Sequence, residues 1–154
     1  MEMAYLHVVT NHLPIFGVPL ALALLLFGLW TGEQSGQRAA LLAFIVLGPA
    51  TVIVYVAGQG AEDVIEAVRK TSHDGIERHA AAATWAFGAV AVLATESLLV
   101  FLYGGGPELL RRRRSSRKVS AAGVIAVVAT AVVACALLGY TGKLGGRIAH
   151  TEFS

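Results

Sequence analysis

Residues 80–103 read AAAATWAFGAVAVLATESLLVFLY, a run in which Glu96 is the single charged side chain. Roughly twenty apolar residues are enough for a helix to cross about 30 Å of hydrocarbon, so this run predicts a membrane-spanning helix. Working outward, the same pattern recurs at about 13–30, 39–56 and 119–140. The chain has 154 residues, 56% hydrophobic and 14% charged, too apolar for a soluble globular enzyme. The sequence therefore predicts an all-α, integral membrane, four-helix up-down bundle forming a single domain over 1–154. One cysteine, Cys135, excludes an internal disulfide.

The ends of the four runs carry the local signals. Asn11 is a suitable cap for a first helix that begins at Leu13, and Pro14 is acceptable in its first turn. No basic segment precedes that helix, which predicts a retained span rather than a cleaved signal. Between the second and third runs, residues 61–78 are polar, with Val64, Ile65 and Val68 on one face of a short amphipathic helix. Gly104-Gly105-Gly106-Pro107 stops the third run, and the fourth gives way to Gly139, Gly142, Gly145 and Gly146.

Orientation follows from the basic residues. Arg111, Arg112, Arg113, Arg114, Arg117 and Lys118 are half of the chain's twelve bases and sit between the third and fourth spans. The positive-inside rule makes that connection cytoplasmic and puts both termini, with the 58–79 connection, on the outer, periplasmic side. Nucleic-acid binding by the arginine run is the poorer reading.

With this topology all five histidines fall on the outer side: His7, His12, His73, His79 and His150. Histidine is the commonest metal and haem ligand, so a cluster at one depth points to such a group. In an up-down bundle the first and third helices are diagonal neighbours, and His12 and His79 begin them. Two imidazoles across a bundle are the donor set of a six-coordinate b-type haem. Small residues around them leave room for a macrocycle, and Arg78, Arg147 and Lys143 are candidate partners for its propionates. A competing constellation is His12, Glu62, His79, His150 and Glu152, a mixed set that suits non-haem iron, manganese or zinc. Copper on Met1, Met3 and His7 is weaker, because terminal residues are commonly mobile. His7 and His73 read as solvent-exposed. Glu96, near the cytoplasmic end of its span, fits a salt bridge to the arginine cluster as well as a proton relay. Cys135 reads as a packing residue, and Trp30, Tyr103, Tyr140 and Tyr5 as interfacial anchors.

The segments Asn11-His12-Leu13-Pro14, Gly60-Ala61-Glu62, Ile76-Glu77-Arg78-His79 and Gly145-Gly146-Arg147-Ile148-Ala149-His150 resemble those of an uncharacterised family of small four-helix bacterial membrane proteins. The resemblance spans essentially the whole chain. It implies a multi-pass protein of the bacterial inner membrane with a site on His12, Glu62, His79 and His150, and no particular activity.

Three functions follow as expectations. The first is a b-type haem protein or small redox subunit, with a haem near the outer face exchanging electrons with quinol or an outer-side partner. The second is a non-haem metal site. The third is a structural subunit of a larger membrane complex or homo-oligomer, docking through small-residue faces. A transporter is least supported, and hydrolase or nucleotide motifs are absent.

Overall fold

The computed structural model describes residues 2–61, 64, 73–103 and 121–149. Five helical elements make up four long rods. Helices α1 (Glu2–Thr10) and α2 (His12–Thr31) form the first, followed by α3 (Gln34–Gln59), α4 (His73–Tyr103) and α5 (Ala121–Ala149). All four rods are long and apolar enough to cross a membrane. Each packs against the next, and α5 closes back on α2, so α2 and α4 are diagonal as expected. Neighbours run antiparallel: Gly17 lies by Leu47 and Gly28 by Gln37, while Tyr55 bonds Thr84 and Gly48 meets Ala94.

One stripe per helix is buried, at the three- and four-residue spacing of a bundle seam. It comprises Val18, Ala21 and Leu25 on α2; Ala40, Leu41 and Phe44 on α3; Ala86, Val90 and Leu93 on α4; and Val127, Ala131, Ala134 and Leu138 on α5. Many other apolar side chains point outward, including Phe16, Leu20, Val46 and Ile125, each about two-thirds exposed or more. A bundle in water would hide such residues; lipid solvates them. Trp30 and Tyr103 are exposed at one end, and Trp85 and Tyr140 toward the other, the placement of two interfacial belts. From Trp85 to Tyr103 along α4 is about 27 Å at the helical rise, close to a hydrocarbon thickness.

Every span is longer than its apolar run. Within the described residues helix α4 runs from His73, and His73–Glu77 (3.2 Å) and Asp74–Arg78 (2.9 Å) pair across one turn there. The expected amphipathic segment thus ends inside α4 from residue 73. Helix α5 continues through its glycines, correcting the expectation that they end it, because some of them face other helices rather than turning the chain. The turn between α2 and α3 is shorter than expected. Gly32, at φ +73°, closes α2 in the left-handed region open to glycine, and Gln37 Nε2 donates to the Gly28 carbonyl across the turn (2.9 Å).

The start of the first span differs most. Asn11 does not cap a helix beginning at Leu13. Its backbone is helical, its side chain caps nothing, and its N–H donates to the His7 carbonyl (2.9 Å). Helix therefore starts at Glu2 and is interrupted at Asn11. The cause is Pro14: it has no N–H for the Thr10 carbonyl four residues earlier, and its ring crowds that carbonyl. Past the interruption α1 continues along α3 in the antiparallel register of α2: Gly58 faces His7 and Gly60 faces Met3, as Gly17 faces Leu47 and Gly28 faces Gln37.

Candidate functional site

Where α1 meets α3, two glycines receive it. A β-carbon at Gly58 would lie 3.0 Å from the His7 ring, and one at Gly60 would lie 3.3 Å from Met3. Met3 and His7 are one turn apart on α1, so one face of this short helix rests on the bare backbone at the end of α3. His7 Nδ1 is 3.1 Å from the Val54 carbonyl. A carbonyl only accepts, so Nδ1 carries the proton and donates, which leaves Nε2 of the neutral ring with a free lone pair.

The same arrangement recurs on the other side of the bundle. His79 Nδ1 donates to the Thr141 carbonyl of α5 (3.2 Å), and its ring rests on Gly145, where a β-carbon would lie 3.1 Å from Cε1. His79 is therefore also the tautomer with Nε2 free. The two rings meet, centroids 6.5 Å apart and planes at 86°. Tethering one imidazole nitrogen to a carbonyl while the other stays free is how metal-bound histidines are oriented.

Both rings line a half-open cavity of about 1000 Å³ to which all five helices contribute at this end of the bundle. Its wall is mainly apolar, with Pro14, Ile15, Val54, Ala83, Phe87 and Leu138 beneath the histidines and Gly142, Gly145 and Gly146 along α5. Ligand sites typically have volumes of roughly 300–1000 Å³ with an apolar lining and a few convergent polar groups. Asn11 also lines it, and its Oδ1 is buried with no hydrogen-bond partner among the described residues. Tyr55 completes one wall, stacked on Phe87 at 4.8 Å and bonded to Thr84 Oγ1 (3.1 Å).

The candidate residues divide as follows. His79 occupies the site. His12 lines the same cavity but is exposed, its ring stacked on Phe16 (5.9 Å, 8°); the ring that meets His79 is that of His7, which the sequence reading left in solvent. Arg78 is turned to Asp74, with Nε–Oδ1 at 3.1 Å and Nη2–Oδ2 at 2.9 Å, and Arg147 is exposed near the end of α5. Glu62, His150 and Glu152 lie outside the described residues, as do the arginine cluster and Gly104–Pro107. Among the described residues no three His, Cys, Asp or Glu side chains group as metal ligands. At the opposite end Glu96 Oε2 and Ser97 Oγ are buried without partners among the described residues, and Cys135 packs against the core. His73 is exposed beside Glu77.

The signal that would have found His7 is spacing: His7, Asn11, Pro14, Val18 and Ala21 follow one another at four and three residues in turn, the buried stripe of α2 continued backward.

Comparison with protein-family models, curated proteins and solved structures found no match to the chain.

Proposed function

We propose that the chain is a small membrane b-type haem protein in which His7 and His79 would hold the group, acting as a one-electron carrier or redox subunit. The observation that carries this reading is the pairing of the two imidazoles, the donor type that b-type haem takes. The observed separation is 6.5 Å, and each ring has its second nitrogen committed to a carbonyl.

The surroundings favour haem over a bare ion. Two nitrogen donors without a third ligand among the described residues under-fill the shell of zinc or non-haem iron. A macrocycle supplies four ligands of its own and needs a large apolar chamber, and the cavity of about 1000 Å³ is one. When bound, haem supplies a reversible one-electron couple at this position. The chain's own residues do the rest. Val54 and Thr141 hold the two rings through their carbonyls, Gly58 and Gly145 give the rings room, and Pro14, Val54, Phe87 and Leu138 exclude water. Arg147 and Lys143 are exposed one turn apart on α5, each next in sequence to a residue of the cavity wall, and are the candidates for propionate pairing, Arg78 being turned to Asp74.

Depth limits the role. His79 precedes Trp85 by six residues, about 9 Å along α4, which supports a site near headgroup level if Trp85 marks the interface. The excess of Lys and Arg between the third and fourth spans supports the outer, periplasmic side of a bacterial inner membrane for this end. A haem there exchanges electrons with quinol arriving from the bilayer or with an outer-side protein, and does not carry them across the membrane alone. Lipid covers the apolar flanks, and a larger complex or a homo-oligomer is the setting in which such a subunit would work.

The test is a visible spectrum of protein purified in mild detergent, oxidised and reduced, with His7→Ala, His12→Ala and His79→Ala. The reading expects a b-type band pair that His12→Ala retains and the other two variants lose or shift. A colourless protein overturns it; metal content on the same sample then separates the His and carboxylate site from a structural subunit.

A further inference from the structure

The cavity is open on the side between the first and last rods. Ala4, Val8, His12 and Ile15 follow one another at four, four and three residues, so they form one stripe of the first rod, and all four line the cavity. At the inner end of this stripe the rods touch: a β-carbon at Gly142 on α5 would lie 3.6 Å from Ile15 Cδ1. Farther out they part, because α1 packs chiefly on α3, and Val8 is 57% exposed. Gly146 and Ala149 line the cavity from α5 and are exposed as well, and a β-carbon at Gly146 meets nothing within 4 Å. Gly146 is six residues past the exposed Tyr140, about 9 Å along α5, the depth of lipid headgroups. A molecule that enters between α1 and α5 therefore comes from the membrane.

The wall defines its chemistry. Among the described wall residues Glu2 is the only Asp, Glu, Lys or Arg, and it is exposed, so a charged head group meets no buried counter-ion. Asn11 offers a neutral carboxamide, whose Oδ1 is buried with no hydrogen-bond partner among the described residues. A carboxamide holds one acceptor and one donor group and can turn to present either. The ligand that uses both in turn is an apolar ring whose oxygen is O–H when reduced and C=O when oxidised.

We propose that the α1–α5 side of the cavity seats the head of a lipid-phase quinone, with Asn11 bonding its ring oxygen and its apolar chain leaving past Val8 and Gly146 into the bilayer. This gives a seat to the quinol invoked above as electron partner and rests on that reading for its purpose, whereas the binding itself needs no haem. It is a binding step alone, in which no covalent bond changes and no electron moves.

The test is photolabelling of the full chain in mild detergent with a short-chain azidoquinone, the affinity being read from competition by the unlabelled quinone. Label should fall on peptides covering residues 4–15 and 142–149, and excess unlabelled quinone should suppress it. Asn11→Leu should melt no lower than the parent, because it removes an unpartnered buried polar atom, yet bind about five-fold more weakly for the loss of one neutral hydrogen bond. Val8→Trp fills the opening and should weaken binding by about ten-fold or more. Ile125→Trp, at an exposed position toward the other end of α5, should leave binding unchanged. Label spread over all four spans overturns the proposal, as does equal affinity in the two Trp variants, or competition by an anionic phospholipid and none by the quinone. An Asn11→Leu protein that binds like the parent overturns the assignment of Asn11. The visible spectrum of the same sample keeps the two readings apart: site-specific label without a haem band overturns the haem reading and leaves the quinone seat standing, and a haem band without site-specific label does the reverse.

Discussion

Gly145 and Gly146 are adjacent on α5 and should respond in opposite ways to the same substitution. A β-carbon at Gly146 meets nothing within 4 Å, whereas one at Gly145 lies 3.1 Å from His79 Cε1 and 3.4 Å from Nδ1. Alanine in place of glycine in a helix gains about 1 kcal/mol from propensity alone. At Gly146 that gain stands unopposed. At Gly145 the ring must retreat by about 0.5 Å to restore carbon contacts near 3.5 Å. Its bond to the Thr141 carbonyl is already 3.2 Å, and the same retreat takes it beyond hydrogen-bonding distance. Losing that bond costs about 0.5–1.5 kcal/mol, which offsets the propensity gain and leaves stability nearly unchanged. The ligand tether is lost, however, and such losses typically weaken metal affinity 10- to 100-fold. Gly146→Ala should therefore melt slightly higher and titrate with haem like the parent, while Gly145→Ala melts near the parent and binds at least ten-fold more weakly. Equal haem affinity in the two variants would refute the reasoning that Gly145 exists to seat His79.

Pro14→Ala restores the bond to the Thr10 carbonyl and removes a residue that costs about 3 kcal/mol inside a helix, so the melting temperature in detergent should rise. Because the backbone at Asn11 is already helical, His7 should stay beside His79 and the reduced haem spectrum should match the parent's; a shift toward five-coordination would show that the break positions His7. His12→Ala should change haem affinity less than two-fold (about 0.4 kcal/mol), because its exposed ring stacks on Phe16 rather than on His79. At Gly48 a β-carbon would lie 2.7 Å from that of Ala94, so Gly48→Val forces α3 and α4 apart and should cost about 1–3 kcal/mol, read as a lower melting temperature in detergent. Phe44→Ala, emptying the largest fully buried side chain, should cost about 3–5 kcal/mol; a smaller effect would mean the bundle collapses around the gap.

The four spans were legible because lipid selects on total apolarity over a fixed length, and that can be read from sequence without knowing which face is buried. Their ends were not, since the criterion stops where charge begins. His73, Asp74, Glu77 and Arg78 extend α4 by pairing along the helix, a gain that hydropathy does not register. Glycines at the end of α5 look like breakers in one dimension, and Gly145 proves to be clearance for a ring from another helix. At the site, His79 was legible because it adjoins an apolar run. His7 was not, because the sequence reading starts the first helix at Leu13, after His7. Once the helix starts at Glu2, His7 falls on the same stripe as Pro14 and Val18, facing the bundle.

The most direct test of the His7–His79 pair is low-temperature electron paramagnetic resonance of the ferric, haem-loaded protein. With planes at 86°, two axial imidazoles should give one strongly anisotropic low-spin signal, present in the parent and His12→Ala proteins and replaced by a high-spin signal in His7→Ala. A high-spin parent, or a low-spin signal that survives His7→Ala unchanged, would contradict the account.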